Sequence, residues 1–374
     1  MIEEVSVAFN QDAVLDCEES PLVSVLVPVY NVERYLRECL SSLQRQSFSD
    51  FEVICINDGS TDGSRGVIEE FLGDSRFWVI DQENAGYGVA MNRGLDSARG
   101  SYISILESDD YLDPDALSEL VSLAGKHEAQ VVKADFFLYW STPHPHDQLF
   151  GFVSPSMEGR QMRPLDDVRV FYRKPSIWSA LYSTAFLRNN GIRFLETPGA
   201  SYQDAGFNFK VWACASKVVF TRKAFLHYRQ DNEASSVNSP GKMYCVCDEY
   251  EEMERFLDSR PDLPEALRSV MLKMKYDSYM WNYERLSEDL QAEFIQRISR
   301  DFSGHLEKGE LDLGLFESWK VEDLKRIVSN PAAYHRRRAR FAKFGRFGKA
   351  LHYFTMGGPM MLIRIARQRE AEAR

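Results

Sequence analysis

Ser101-Tyr-Ile-Ser-Ile-Leu-Glu-Ser-Asp-Asp110, running on into Tyr111-Leu-Asp-Pro-Asp115, is the stretch that decides the fold. Tyr102 to Leu106 is a run of β-formers that ends in three carboxylates within four positions: Glu107, Asp109 and Asp110. Asp113-Pro114 then reads as an N-cap followed by proline at the first helical position, opening a helix with Leu117, Leu120 and Leu123 on one face. The pattern predicts an acidic cluster at the carboxyl end of a buried strand, the edge of an open α/β sheet where ligands bind. Crowded carboxylates repel one another unless a cation neutralises them, and an all-oxygen donor set suits Mg²⁺ or Mn²⁺. A solvated acidic turn is the competing reading of this stretch alone, so its surroundings decide.

Upstream, Leu22 to Val27 is a continuous apolar run of the kind buried on both faces of a parallel sheet, and it ends in Pro28-Val-Tyr-Asn31. A helical pattern carries Leu36, Leu40 and Leu43. A second strand, Phe51 to Ile56, ends in Asn57-Asp-Gly-Ser-Thr-Asp-Gly-Ser64, where Ser60 or Thr61 is expected to cap a helix through Val67, Ile68 and Phe71. A third strand, Phe77 to Ile80, leads through Asp81–Gly86 into a helix with Ala90, Met91, Leu95 and Ala98, which Gly100 is expected to close. Strand–helix alternation of this kind predicts a mostly parallel, right-handed α/β sheet. Asn31, Asp58 and the 107–110 cluster then all fall on one edge, as a nucleotide site with a metal on its phosphates would require. Gly86-Tyr-Gly88 opens like a dinucleotide motif, but Met91 stands where its third glycine belongs, and no Gly-rich loop ends in Gly-Lys-Ser/Thr.

Val25-Leu-Val-Pro-Val-Tyr-Asn31, Ile56-Asn-Asp-Gly-Ser-Thr-Asp62, Asn84-Ala-Gly86 with Ala90-Met-Asn92, and Glu107-Ser-Asp-Asp110 together resemble the ordered motif set of family 2 inverting glycosyltransferases with the GT-A fold. The resemblance covers roughly residues 21–235. It implies that Pro28, Tyr30, Asn31 and Asn92 line the nucleotide-sugar site, that Asp58 binds the base, and that Asp109 approaches the ribose. It further implies that Asp110 ligates a Mn²⁺ or Mg²⁺ ion bridging the phosphates, with Glu107, where many members carry Asp, as a second metal-side carboxylate.

Downstream, Gln130 to Trp140 reads as a strand, residues 141–175 as a long loop over the acceptor side, and Ile177 to Tyr182 as a further strand, with Ser183 capping a short helix. Ser201-Tyr-Gln-Asp-Ala-Gly206 leads into a helix, and the resemblance makes Asp204 the catalytic base. An attacking hydroxyl needs one, since its own pKa lies far above 7; a plain helix N-cap is the competing role. Phe225 to Arg229 reads as a strand, from which His227 or Arg229 would meet the diphosphate, arginine being the better fixed charge. From 241 to 328 the pattern is helical, with aromatic and Met stripes typical of core packing.

A length of 374 residues predicts two or three structural units, and 24 Phe with 17 Tyr supply ample core. Scattered cysteines and histidines argue against a Cys/His metal centre and for a reduced, cytoplasmic setting, and no signal peptide is expected. The net charge of −11 hides an asymmetry: residues 334–374 hold eleven Lys and Arg against two Glu, a net of +9 that leaves −20 on the first 333. An acidic body excludes general nucleic-acid binding. In the tail, a helix from Arg336 would gather Phe341, Phe344, Phe347, Leu351 and Phe354 on one arc, with Arg338, Arg346 and Lys349 opposite, as in a helix lying on an anionic membrane. The apolar stretch 356–365 is too short to span a bilayer, and docking of the tail on the acidic body is the alternative.

The expected division is a lead-in at 1–20, a nucleotide-sugar half at 21–130, an acceptor half at 131–240, a helical region at 241–333 and a basic tail at 334–374. The resulting expectation is a metal-dependent inverting enzyme that moves a sugar from a nucleotide-diphosphate donor, UDP-linked by preference. Its acceptor would be a glycan or lipid-linked glycan of surface polysaccharide assembly, met at the inner face of the membrane. A noncatalytic nucleotide-sugar-binding or scaffold protein would lack Asp110 or Asp204, and neither is missing. A nucleotidyltransferase would need a basic Gly-rich loop before Tyr30, and none is there.

Overall fold

A computed structural model of the chain describes residues 20–232 and 243–372; the lead-in expected at 1–20 lies outside this range but for its last residue. The first half alternates as the apolar runs dictate: β1 (Val23–Val29), α1 (Glu33–Gln44), β2 (Phe51–Asp58), α2 (Ser64–Glu69), β3 (Phe77–Gln82), α3 (Tyr87–Ser97) and β4 (Tyr102–Ile105). Every residue of β1 and β2 is buried, which explains their lack of polar alternation. These strands pair in parallel in the order β3-β2-β1-β4, so their carboxyl ends share one edge.

The second half adds β5 (Tyr111–Leu112), α4 (Ala116–His127), β6 (Val131–Trp140), β7 (His146–Phe150), β8 (Gln161–Met162), β9 (Ala180–Ser183), α5 (Thr184–Asn189), α6 (Gln203–Cys214) and β10 (Val218–Arg229). The sheet continues from β4 through antiparallel β9 to β6 and β10, which are parallel to each other. A helical region follows: α7 (Cys245–Asp258), α8 (Ala266–Arg285), α9 (Glu288–Glu307), α10 (Ser318–Ser329), α11 (Pro331–Ala342) and α12 (Gly345–Glu372). One hydrophobic core runs from Val23 to Tyr334, so α7–α10 are packed into the same core as the sheet.

Several local expectations are corrected. Residues 141–175 are not a bare loop: β7 forms a hairpin with β6, β8 pairs with β10, and two 3₁₀ turns follow. Neither Ser60 nor Thr61 caps α2, which starts after Gly63. The fourth helix begins at Ala116, two residues later than Pro114 suggests, because Leu112 still belongs to a strand. Gly100 is not a helix cap, since Ala98 already leaves α3 in extended conformation. It is small because a Cβ there would stand 2.5 Å from the backbone nitrogen of Ser24. The tail is not one helix from Arg336: α11 stops at Ala342, Gly345 takes φ +55°, and α12 is itself kinked at Gly357–Gly358. Arg338 faces inward to Glu284 and to the Tyr334 hydroxyl at 2.9 Å. The side chains of Arg346 and Lys349 lie outside the described residues. No helix among the described residues is long and apolar enough to cross a membrane.

Candidate active site

The loops leaving β1 and β2 are tied together first. Asn31 adopts φ +50°, a left-handed conformation asparagine tolerates, and its Oδ1 accepts from the Thr61 N–H at 2.8 Å. Pro28 is buried within β1 beside Ile56, whereas Tyr30 is 52% exposed at the strand exit. Asp58, at the end of β2, is buried and holds the next loop: its Oδ1 accepts from Gln82 Nε2 at 2.7 Å and the Ala85 N–H at 2.8 Å, its Oδ2 from the Gly86 N–H at 3.0 Å.

The loop so fixed starts α3, and α3 grips the segment approaching Asp204. The Tyr87 N–H donates to the Gly199 carbonyl at 3.0 Å, and a Cβ on Gly88 would stand 2.0 Å from the Leu195 carbonyl oxygen. Asn92 belongs to this grip. Its Nδ2 donates to the Phe194 carbonyl and to Glu196 Oε1, both at 2.9 Å, while its Oδ1 accepts from the Phe194 N–H. With both N–H donors engaged inside the fold, Asn92, expected from the motif at the nucleotide-sugar site, ties α3 to the segment at 194–196.

The acidic cluster sits where the sequence puts it. Glu107 accepts from the Tyr87 hydroxyl at 2.7 Å, and burial, reinforced by Asp109 and Asp204, pushes its carboxyl up to about 7 against that hydrogen bond. Asp109 accepts from Asn232 Nδ2 at 2.8 Å. Asp110 is 1% exposed; its Oδ1 accepts from the Arg229 N–H at 2.8 Å, and its Oδ2 has no hydrogen-bond partner among the described residues. Burial and then the Asp109 charge raise its pKa well above the usual carboxylate range.

Among the described residues no three His, Cys, Asp or Glu side chains converge into a ready-made metal cage. A nucleotide-bound Mg²⁺ or Mn²⁺ does not need one, because one or two carboxylates suffice when phosphates and water fill the remaining positions. The orphaned, buried Oδ2 of Asp110, set among Glu107 and Asp109, fits such an ion.

Asp204 arrives at the same cluster from the first turn of α6. Its Oδ1 accepts from the Ala205 N–H at 2.8 Å, and burial raises its carboxyl to about 6 against that bond and the positive charge of Lys174. Two residues earlier, Tyr202 holds the left-handed φ of +62°, with its hydroxyl donating to Asn282 Oδ1 on α8 at 3.1 Å. His227 and Arg229 are both held by protein groups. His227 lies between Asp147 at 2.8 Å and Asp113 at 3.2 Å, stacked on Tyr111. Arg229 donates from Nε to the Asp109 carbonyl at 2.8 Å and from Nη2 to Glu38, and its guanidinium sits between the rings of Tyr35 and Tyr139.

Three contributors escape the sequence reading. Lys174 lies in 141–175, where the sequence pattern predicts a loop. Tyr87 sits inside the Gly86-Tyr-Gly88 triplet, where only the glycines match a motif. Asn282 is far along the chain on α8. The one local signal is Lys174-Pro175, a lysine beside a proline a few residues ahead of β9.

A parallel 3-2-1-4 sheet with acids at its strand ends and a carboxylate-bearing helix beyond it is the GT-A architecture, extended here by helices. The family model for Glycosyl transferase family 2 matches residues 24–175. Glycosyltransferase GlyG of Streptococcus pneumoniae serotype 4 is 37% identical over 225 residues, 56% of this chain and 71% of its own length. EpsH of Bacillus subtilis is 32% identical over 228 residues, and the chain spans 61% of its length. In fold, the chain is similar to residues 1–349 of TarS from Staphylococcus aureus, with a TM-score of 0.67 at 21% identity over 87% of this chain and 92% of that one; the same fragment has been solved with UDP-GlcNAc. The chain belongs to glycosyltransferase family 2.

Proposed function

We propose that this protein transfers a sugar from a nucleotide-diphosphate donor, UDP-linked by preference, to a hydroxyl of a glycan or lipid-linked glycan, with inversion at the anomeric carbon. The observation that carries the reading is that Tyr87 joins the acidic cluster to the segment before Asp204: its hydroxyl donates to Glu107 at 2.7 Å and its N–H to the Gly199 carbonyl at 3.0 Å, so Asp110 and Asp204, from distant segments, face one region. Asp204, raised to about 6, is ionised at neutral pH yet basic enough to accept the acceptor's proton as the hydroxyl attacks. The acceptor oxygen bonds to the anomeric carbon on the face opposite the leaving group, and the electron pair of the broken bond goes to the diphosphate. Asp110, with Glu107 or Asp109 beside it, would hold the divalent ion. When bound, that ion offsets charge on the departing diphosphate. Asp58 and Asn31 act by fixing the two loops that border the base, and Tyr30 offers an exposed ring to it.

The acceptor class takes its support from relatives: TarS is a poly(ribitol-phosphate) β-N-acetylglucosaminyltransferase, and chondroitin synthases match over 98 residues. A membrane contact takes its support from the exposed Phe344, Phe347, Phe354, Met360 and Ile363 within a segment of net charge +9. The test of the activity is donor hydrolysis with Mn²⁺ across UDP-, GDP- and dTDP-sugars, which needs no acceptor. Turnover by the wild type, and its loss in a folded Asp110→Asn variant, is expected; full Mn²⁺-dependent turnover by that variant refutes the assignment.

A further inference from the structure

The departing diphosphate needs a positive charge beside it, and the two side chains the strand offered, His227 and Arg229, are engaged by Asp113, Asp147, Glu38 and the Asp109 carbonyl. Lys174 is differently placed. Its ammonium lies 4.1 Å from the centroid of the Tyr228 ring and 5.9 Å from that of Trp178, two rings stacked 4.7 Å apart. Among the described residues it has neither a carboxylate ion-pair partner nor a hydrogen-bond acceptor within contact distance. Burial works against its charge, and Asp204 and then Asp110 support it, so the ammonium lies within electrostatic range of the proposed base and of the proposed metal carboxylate. Tyr228, beneath it, has its phenol pushed up first by burial and then by the charges of Asp110, Asp109, Asp204 and Glu107.

The backbone that presents this lysine is fixed. Pro175 follows it, and the Ser176 N–H donates to the Lys174 carbonyl at 2.8 Å. Ser176 and Ser179 are in turn held by buried Lys133 of β6, whose Nζ lies 2.8 Å and 2.6 Å from their hydroxyls. Trp178 is clamped edge-on against Phe136, centroids 4.5 Å apart. A cation held by a rigid turn over an aromatic floor, without an anion of its own, is prepared to receive one.

We propose that Lys174 is the cation that receives a β-phosphate oxygen of the donor, on the side from which the sugar departs. The assignment rests on the reading of the site given above. As the bond from the anomeric carbon to the diphosphate oxygen breaks, its electron pair moves onto that oxygen. The ammonium donates a hydrogen bond there and keeps its own proton, while the acceptor's proton goes to Asp204. A fixed donor at a site of developing charge is worth most where water is excluded.

Lys174→Met retains the apolar stem over Tyr228 and Trp178 and removes only the charge. Calorimetry with UDP and with UMP separates a phosphate contact from a structural one. In the variant UDP is expected to bind about tenfold more weakly, as for loss of a charged hydrogen bond, while UMP affinity and melting temperature stay unchanged. Donor turnover with the UDP-, GDP- or dTDP-sugar the wild type hydrolyses fastest should fall by about 100-fold, and Lys174→Arg should recover part of it. Equal UDP affinity in wild type and Lys174→Met overturns the assignment, as does a parallel loss of UDP and UMP binding. A wild type that binds none of UDP, GDP and dTDP removes the reading of the site along with it, whereas normal wild-type binding with an indifferent Lys174→Met variant removes the lysine alone.

Discussion

Replacing Glu249 by glutamine should make the fold less sensitive to alkali, by an amount set by where the carboxyl sits. Glu249, on α7, is 1% exposed, and neither carboxylate oxygen has a hydrogen-bond partner among the described residues. It presses on the helix of the proposed base: a Cβ on Gly206, two residues after Asp204, would stand 2.3 Å from its Oε2. Burial, and then the Asp204 charge, push its pKa from 4.5 to about 9, with Lys210 opposing. The folded chain therefore binds this proton more tightly than the unfolded one, so the stabilisation is complete below pH 4.5 and is lost as pH rises toward 9. At about 1.4 kcal/mol per pH unit, the loss by neutral to mildly alkaline pH is on the order of 4 kcal/mol, or about 2 kcal/mol if the surroundings relax by half. Glutamine has the same shape and no charge, so its desolvation penalty does not change with pH. Urea unfolding followed by tryptophan fluorescence at pH 5 to 8 should show the wild type losing about 2–4 kcal/mol relative to Glu249→Gln across that range. Parallel stability curves for the two proteins would show that Glu249 is ionised in the fold, and the reasoning would fail.

The acidic limb of the turnover profile should report Asp204, with half-maximal activity near its raised pKa of about 6 and a fall below it; an activity flat to pH 4 would exclude it as the base. Gly88→Ala should destabilise the fold by about 1–3 kcal/mol by driving a Cβ into the Leu195 carbonyl, read as a lowered melting temperature. Asn282→Ala frees the strained Tyr202 that precedes the base, so donor turnover should drop by about 10–100-fold with UDP affinity unchanged; undiminished turnover would mean that Asn282 does not position Asp204. Deleting 334–374 would also remove core residue Tyr334, so the membrane contact is better tested by a Phe347→Ser, Phe354→Ser double variant. Its sedimentation with anionic vesicles should weaken by about tenfold or more, since each exposed phenylalanine offers roughly 1.5–3 kcal/mol on burial.

What was legible in the chain was what nearest neighbours encode. β1, β2 and β4 announce themselves because strands covered on both faces are mostly apolar without strict alternation, and polar or acidic residues follow at their ends. β7 escaped notice because His146–Phe150 is an exposed edge strand whose composition is set by solvent rather than by a core. The start of α4 slipped because Asp113 and Pro114 satisfy the cap pattern, while β5 pairing with β10 keeps the chain extended up to Leu112. Asp58 ends β2, Glu107 and Asp110 follow β4, and Asp204 lies in the first turn of α6, the positions that strand-end and helix-start patterns encode locally. The partners that Asn92, His227 and Arg229 engage in the fold, Phe194, Asp147 and Glu38, lie 80 or more residues away, and no local pattern encodes such a pairing.

The helices after residue 243 share the core of the sheet and brace the helix that carries Asp204. Three independent contacts join them to α6 and its entry turn: Asn282 to Tyr202, Glu249 to Gly206, and Glu252 to buried Lys210 at 2.9 Å. Each falls within six residues of Asp204, and none touches the strand-end loops that border the nucleotide. On the function proposed above, donor binding and base placement fall to different parts of one fold: the parallel sheet carries Asp58 and the 107–110 acids, and the helical region braces the turn and helix that carry Asp204. Such a division lets acceptor geometry be changed through α7 and α8 without disturbing Asp58 or Asp110. It also explains why local motifs suffice to locate the nucleotide side, while the acceptor side emerges only from contacts between segments distant along the chain.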